Sequence, residues 1–215
     1  MAQPSPQQAP ALAAASAARG NAKRSRPRPG ERRVMILQAL AEMLEQPKTE
    51  KITTASLAAK LEVSEAALYR HFASKAQMYE GLIEFIEQTL FTLVNQIATQ
   101  EPNGGRQVRA IALVLLNFAE KNPGMTRVLT GEALVGEHQR LVERINQLLE
   151  RLEASLRQTL KLGITEGTLP ADYDPALRAN LVLSYVLGRW HRYAKSGFQR
   201  KPGEQAEAQL RVLLR

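Results

Sequence analysis

Apolar residues recur along this chain with the spacing of α-helices. Ile36, Leu37, Leu40, Ala41 and Leu44 stand at i, i+1, i+4, i+5 and i+8, a stripe on a first helix that ends before Pro47. Thr53 or Thr54 opens a second helix with Leu57, Ala58 and Leu61 inward, and Ser64 opens a third that holds Ala67, Leu68 and Phe72. Ser74, with Gln77 three residues on, has capping-box spacing and starts a long helix over about Lys75 to Ala98. Met78, Leu82, Ile86, Leu90, Leu93 and Ile97 line one side of it, and "EPNGG" stops it.

Further helices are expected over about Arg106 to Glu120, briefly after Asn122-Pro123, and then from about Leu134 to Leu162. Two more are expected, from Pro175 to about Ser196 and from about Glu204 to Leu214. "GITEGTLPADYDP" and "SGFQRKPG" break the pattern. Neither strand-like alternation nor a repeat competes, so the class is all-α.

Two short capped helices behind a third make a helix-turn-helix unit, whose last helix can lie in a DNA major groove. With Leu57, Ala58, Leu61, Val63, Leu68 and Phe72 inward, Ser64, Glu65, Ala66, Tyr69 and Arg70 face out. Small residues there permit close approach to base edges, and hydroxyls and cations suit phosphate oxygens. An ordinary packed hairpin is the competing reading.

Charge changes the picture because of where it lies. The formal net charge is +8, and residues 19–33 hold Arg19, Lys23, Arg24, Arg26, Arg28, Arg32 and Arg33 against Glu31 alone. Such a run repels itself into extended forms and suits a polyanion, since each phosphate neutralised releases a counterion. The alternative is a solvated tail. The Ala/Pro/Gln-rich segment ahead of it reads as a disordered tail and not as a secretory signal.

Composition excludes other classes. Without cysteine there is no disulfide, thiol nucleophile or cysteine-ligated metal, and no apolar run approaches membrane-spanning length. His71, His138 and His191 are scattered away from metal-ligand spacing, and "PNGGR" lacks the Lys-Ser/Thr of a nucleotide-clamping loop. No enzyme, cofactor or metal is expected, and no membrane insertion.

"ITTASLAAKLEVSEAALYRHFASKAQMYEGLIEFIE" resembles the N-terminal domain of the TetR family of bacterial DNA-binding proteins, in its helix-turn-helix ending Tyr-x-His-Phe and the Ser-Lys pair that opens a connecting helix. "NPGMTRVLTGEAL" (122–134) and "RINQLLERLEASLRQ" (144–158) extend the resemblance to the family's nucleoid occlusion branch. Composition and charge read residues 1–30 as a disordered basic N-terminal arm, and the resemblance implies a DNA-binding domain over 31–75 and a helical dimerisation and partner-binding domain over 76–215. It places Thr53 and Thr54 near phosphate, Ser64, Glu65, Ala66 and Arg70 along the recognition helix, and Tyr69 and Lys75 on the DNA backbone. Arg24, Arg26 and Arg28 in the arm would add phosphate contacts. Glu62 departs from the family, which commonly has Gly at this turn; a left-handed conformation costs a residue with a Cβ roughly 1 kcal/mol.

The helix "ALRANLVLSYVLGRW" is apolar nearly all round between Leu181 and Leu187, so it must bury more than one face. The family forms a four-helix dimer interface here, which implies Leu181, Tyr185, Gly188 and Trp190 and a pseudo-palindromic duplex target. On the long fourth helix Phe91 lies opposite the core stripe, with Phe85 on its flank, and exposed aromatics anchor interfaces. The nucleoid occlusion branch implies that the tubulin-like division protein FtsZ docks nearby, on Phe85, Val114, Asn117, Lys121 and Asn122. Lys121, Arg127 and Arg109 offer charge to an acidic peptide, or are plain surface. A cytoplasmic, nucleoid-associated homodimer is the expectation. A ligand-responsive repressor is the alternative, favoured by a large closed cavity in the second domain.

Overall fold

The computed structural model describes residues 30–46 and 51–214; Arg24, Arg26 and Arg28 lie outside the described residues. Among the described residues the elements run α1 (Glu31–Leu44), α2 (Thr54–Lys60), α3 (Glu65–Tyr69), α4 (Lys75–Gln100), α5 (Gly104–Lys121) and α6 (Pro123–Leu129). A 3-10 turn (Glu132–Leu134), α7 (Gln139–Thr165), α8 (Pro175–Lys195) and α9 (Ala206–Leu213) follow. The expected all-helical order is the observed one.

Capping explains the starts. Thr53, not Thr54, opens α2 in a reciprocal box with Ser56: the Thr53 hydroxyl accepts from the Ser56 N–H and the Ser56 hydroxyl accepts from the Thr53 N–H, each at 3.0 Å. Ser64 caps α3 by accepting from the Ala67 N–H, and Ser74 caps α4 by accepting from the Gln77 N–H. The Gln77 side chain reaches back one residue further than in a capping box, accepting from the Ala73 N–H at 2.9 Å. The start expected at Leu134 is corrected to Gln139. Gly131 and Gly136 sit at φ +75° and +74°, conformations that break helical continuity, so a 3-10 turn and a second, hydrogen-bonded turn closed by the Glu137 N–H on the Leu134 carbonyl intervene.

Helices α5, α7 and α8 pack against one another as the centre of the second domain. Leu115, Leu152, Leu156, Val182, Val186 and Trp190 are all buried there, and the Trp190 indole N–H donates to the Leu115 carbonyl at 3.1 Å. Helix α4 belongs to both halves, since it packs on α1 at one side and on α5 and α7 at the other. Along α7 it is held by charge. Glu80 pairs with Arg140 at 2.7 Å, and the buried Glu87 carboxylate receives both Arg144, at 2.8 Å, and Arg151.

The joint between the two halves is α1 against α6. A Cβ on Gly124 would stand 2.0 Å from the Ala41 carbonyl oxygen, so only glycine lets α6 lie this close. Three residues on, the Arg127 guanidinium donates to the carbonyls of Leu44 and Gln46, both at 3.2 Å, and pairs with Glu132 at 2.7 Å. It thereby satisfies carbonyls that the end of α1 leaves without helical partners.

Candidate nucleic-acid interface

Helix α2 ends at a left-handed residue. Glu62 has φ +55°, the Val63 N–H donates to the Ala58 carbonyl and the Glu62 N–H to that of Ala59, which is the Schellman pattern of a helix C-terminus. The turn is therefore built as a glycine would build it, with a Cβ in place. It sets α3 across α2 with Leu57, Ala58, Leu68 and Phe72 buried beneath.

On the other side, Thr53, Ser64, Glu65, Ala66, Tyr69 and Arg70 are all exposed. Those sequence-derived positions are thus all accessible. Their side chains are not independent. The Thr54 hydroxyl, half-buried, donates to the Glu65 carboxylate at 2.5 Å, and the Tyr69 hydroxyl donates to Thr54 Oγ1 at 3.5 Å. This polar strap runs from the start of α2 to the end of α3.

Lys75, expected on the DNA backbone, is paired within the chain. Its Nζ lies 2.6 Å from Glu137 Oε1, in the stretch that leads into α7, and 5.7 Å from the Tyr79 ring centroid. Burial first, and then the negative charge of Glu137, push the Tyr79 phenol up to about 12, against the opposing pull of Arg127. Arg33, read from the sequence only as part of the basic run, packs against this unit. Its guanidinium stacks 4.2 Å from the Phe72 ring centroid and donates to the His71 carbonyl at 3.0 Å, locking α1 to the end of α3. Neither this contact nor the Lys75–Glu137 pair has a local sequence signal, because each joins residues far apart in the chain.

The other expected positions fall on two further surfaces. Phe85 is half-buried against the core, while Val114, Asn117 and Lys121 follow one face of the neighbouring α5 and Asn122 ends it, its side-chain amide donating to the Phe118 carbonyl at 2.8 Å. Phe91 is no free anchor: the Arg151 guanidinium covers its ring at 4.4 Å. Arg127 is committed to the α1 joint, and Arg109 lies 4.0 Å from Glu207, which leaves Lys121 as the exposed cation of that trio without such a commitment.

On α8, Leu177 and Leu181 are exposed, and Gly188 faces open space. Tyr185 is half-buried, and its hydroxyl donates to Gln209 at 2.7 Å. Trp190 is corrected: it is fully buried in its own chain, on the stripe Val182, Val186, Trp190, and cannot touch a second copy. Buried Trp190 and exposed Leu177 and Leu181 divide this helix by face.

No helix among the described residues is long and apolar enough to cross a membrane, and no cluster of three or more His, Asp or Glu there could hold a metal ion.

Residues 36–82 match the model of bacterial regulatory proteins of the tetR family, and residues 105–215 match the SlmA-like form of the tetracyclin repressor-like C-terminal domain. The chain is 54% identical over 180 residues to the nucleoid occlusion factor SlmA of Alteromonas mediterranea, covering 83% of this chain and 91% of that protein. It is 51% identical over 182 residues to that of Idiomarina loihiensis, covering 85% and 93%. Among solved structures, a TetR transcription regulator from Haloarcula marismortui superposes with a TM-score of 0.74 at 16% identity, over 86% of this chain and 96% of that one. The fatty acid degradation regulator FadR of Bacillus halodurans superposes at 0.71 and 14% identity, over 86% and 95%. The two structures speak to the fold alone. The sequence relatives carry more, because they match at about half identity over more than four fifths of the chain and the two family models cover both its N-terminal and C-terminal parts, and on that ground the chain belongs to the TetR family, in its SlmA-like nucleoid occlusion branch.

Proposed function

We propose that the chain works as a cytoplasmic, nucleoid-associated homodimer that binds a pseudo-palindromic duplex, engages FtsZ and antagonises division-ring assembly over the chromosome. The observation that carries this reading is identity near one half with nucleoid occlusion factors over most of both chains. The chain is a DNA-binding regulator and not an enzyme.

In this reading residues 31–75 form the reading head. Ser64, Glu65, Ala66 and Arg70 meet base edges and nearby phosphates; Thr53, Thr54, Tyr69 and Lys75 hold the backbone; and the arm, with Arg24, Arg26 and Arg28, adds sequence-independent attraction. The residues from 76 to 215 carry dimer and partner contacts. Leu181, Gly188 and Tyr185 face the second copy, which sets two recognition helices about 34 Å apart. FtsZ sits on Phe85, Val114, Asn117, Lys121 and Asn122.

A ligand-responsive repressor would need a closed apolar chamber in the second domain. Its centre is instead filled by Leu115, Leu152, Leu156, Val186 and Trp190. A cleft of about 560 Å³ lies at the seam of α1, α4 and α7 and is lined by Arg33, Glu80, Glu84, Arg140, Glu143 and Arg144 among others, a lining unsuited to an apolar effector.

The test is light scattering of GTP-driven FtsZ polymerisation, with and without a palindromic duplex selected by this protein from genomic fragments. Loss of polymer that deepens with the duplex is expected. Undiminished polymer, under conditions where the duplex is bound, would overturn the reading.

A further inference from the structure

The end of α8 and the loop after it remain without a role. Residues 188–203 hold Arg189, Arg192, Lys195, Arg200 and Lys201 and not one acidic residue, although the whole chain carries only +8. The structure gathers four of these around one cleft of about 210 Å³, lined by Arg189, Arg192, Arg200, Lys201 and Glu204.

The loop is built to present them. Arg189 donates to the carbonyls of Pro202 at 2.9 Å, Lys201 at 3.0 Å and Glu204 at 2.6 Å, which folds residues 201–204 back onto α8. Ser196 accepts from the N–H groups of Gln199 and Arg200, and Phe198, held at φ +67°, lays its ring against Tyr193 at 5.2 Å. Arg192 and Arg200 are exposed, and among the described residues no carboxylate pairs with either. Lys201, 70% exposed, reaches Glu120 at 3.2 Å, and the Tyr193 hydroxyl donates to the Glu120 carbonyl at 3.1 Å. The cluster therefore lies against the end of α5, one residue from Lys121.

We infer that Arg192, Arg200 and Lys201 form a cationic seat for an acidic polypeptide segment, continuing the α5 surface on which the partner docks. Guanidinium groups bind carboxylates through paired N–H donors, and two unpaired arginines beside a preformed cleft hold such a segment without first breaking internal ion pairs. The naming of the partner rests on the function proposed above; the chemistry of the seat does not.

The test uses the full chain and its R192S/R200S variant, with R192K/R200K as the charge-keeping control and thermal melting to establish that all are folded. Three probes are titrated by fluorescence anisotropy at low and moderate salt: a fluorescein-labelled hexaglutamate peptide, the C-terminal tail of FtsZ, and a duplex of arbitrary sequence. For R192S/R200S, hexaglutamate and the tail are expected to bind at least fivefold more weakly with a flatter salt dependence, while the lysine variant keeps most of the affinity and duplex binding is unchanged. Equal hexaglutamate binding by wild type and R192S/R200S would overturn the seat, and so would an equal loss of duplex affinity, which would mark a second nucleic-acid surface. Hexaglutamate binding that depends on these arginines, with no FtsZ tail binding even by wild type, would uphold the seat and remove FtsZ as its partner.

Discussion

Lys75 Nζ and Glu137 Oε1 stand 2.6 Å apart, joining the first residue of α4 to the segment that leads into α7. Their side chains are only 22% and 11% exposed, so the pair is shielded and a phosphate must compete with a carboxylate for this cation. Glu137→Gln is therefore expected to tighten duplex binding severalfold with its salt slope unchanged, because Lys75 reaches the backbone in both proteins but no longer has to leave a carboxylate. Lys75→Ala should instead flatten the slope of log K against log salt by about 1. Anisotropy titrations over a salt series check both signs.

Ala66 is exposed at the start of α3, beside Glu65 and Arg70. In the proposed reading Ala66→Glu puts bulk and negative charge against the base edges, and a loss of more than about tenfold in duplex affinity is expected from one spoiled base contact and added repulsion. Folding should barely respond, within about 0.5 kcal/mol for a surface substitution. Equal melting curves with unequal binding curves are the predicted pair of results.

Gly124→Ala is expected to destabilise the chain by about 1–3 kcal/mol, seen as a lower urea midpoint. Alanine ordinarily favours a helix over glycine by about 1 kcal/mol. Here a Cβ would meet the Ala41 carbonyl oxygen at 2.0 Å, and backbone cannot give way as a side-chain end can. The clash decides the sign.

Leu181 and Trp190 sit on one helix and predict opposite phenotypes. Leu181→Glu should leave a folded chain that sediments as monomer at micromolar concentration, because that side chain is exposed. Trp190→Ala should cost about 3–5 kcal/mol by emptying the core and removing the indole's hydrogen bond to the Leu115 carbonyl, whatever the assembly state.

What was legible in the chain follows the range of the forces involved. Caps and stripes act within a few residues, so Thr53, Ser64, Ser74 and the order of the helices could be read directly. The outward face of α3 followed from the same periodicity. Glu62 was flagged only through the resemblance, since the family commonly has Gly at this turn, and its φ is +55°. Trp190 was misplaced because an all-apolar helix does not say which of its faces meets its own chain. Arg127 was offered as a surface charge but caps α1 from across the fold, and Arg151 hides Phe91 in the same way. Long-range partners of arginine leave no periodic trace.

Helix α4 runs unbroken for 26 residues from Lys75 to Gln100, about 39 Å at 1.5 Å per residue. Tyr79 lies near its start, beside the Lys75–Glu137 pair, while Phe85 and Glu87 lie further along, against the second domain. A helix of this kind tolerates exchange of many side chains, but inserting one residue between Tyr79 and Phe85 would turn everything beyond it by about 100°. Glu87 would swing away from Arg144 and Arg151, and Phe85 would leave its place beside α5. The length of this stretch is thus a phase relation between two surfaces, and relatives that keep both surfaces should differ in it by substitution and never by insertion or deletion.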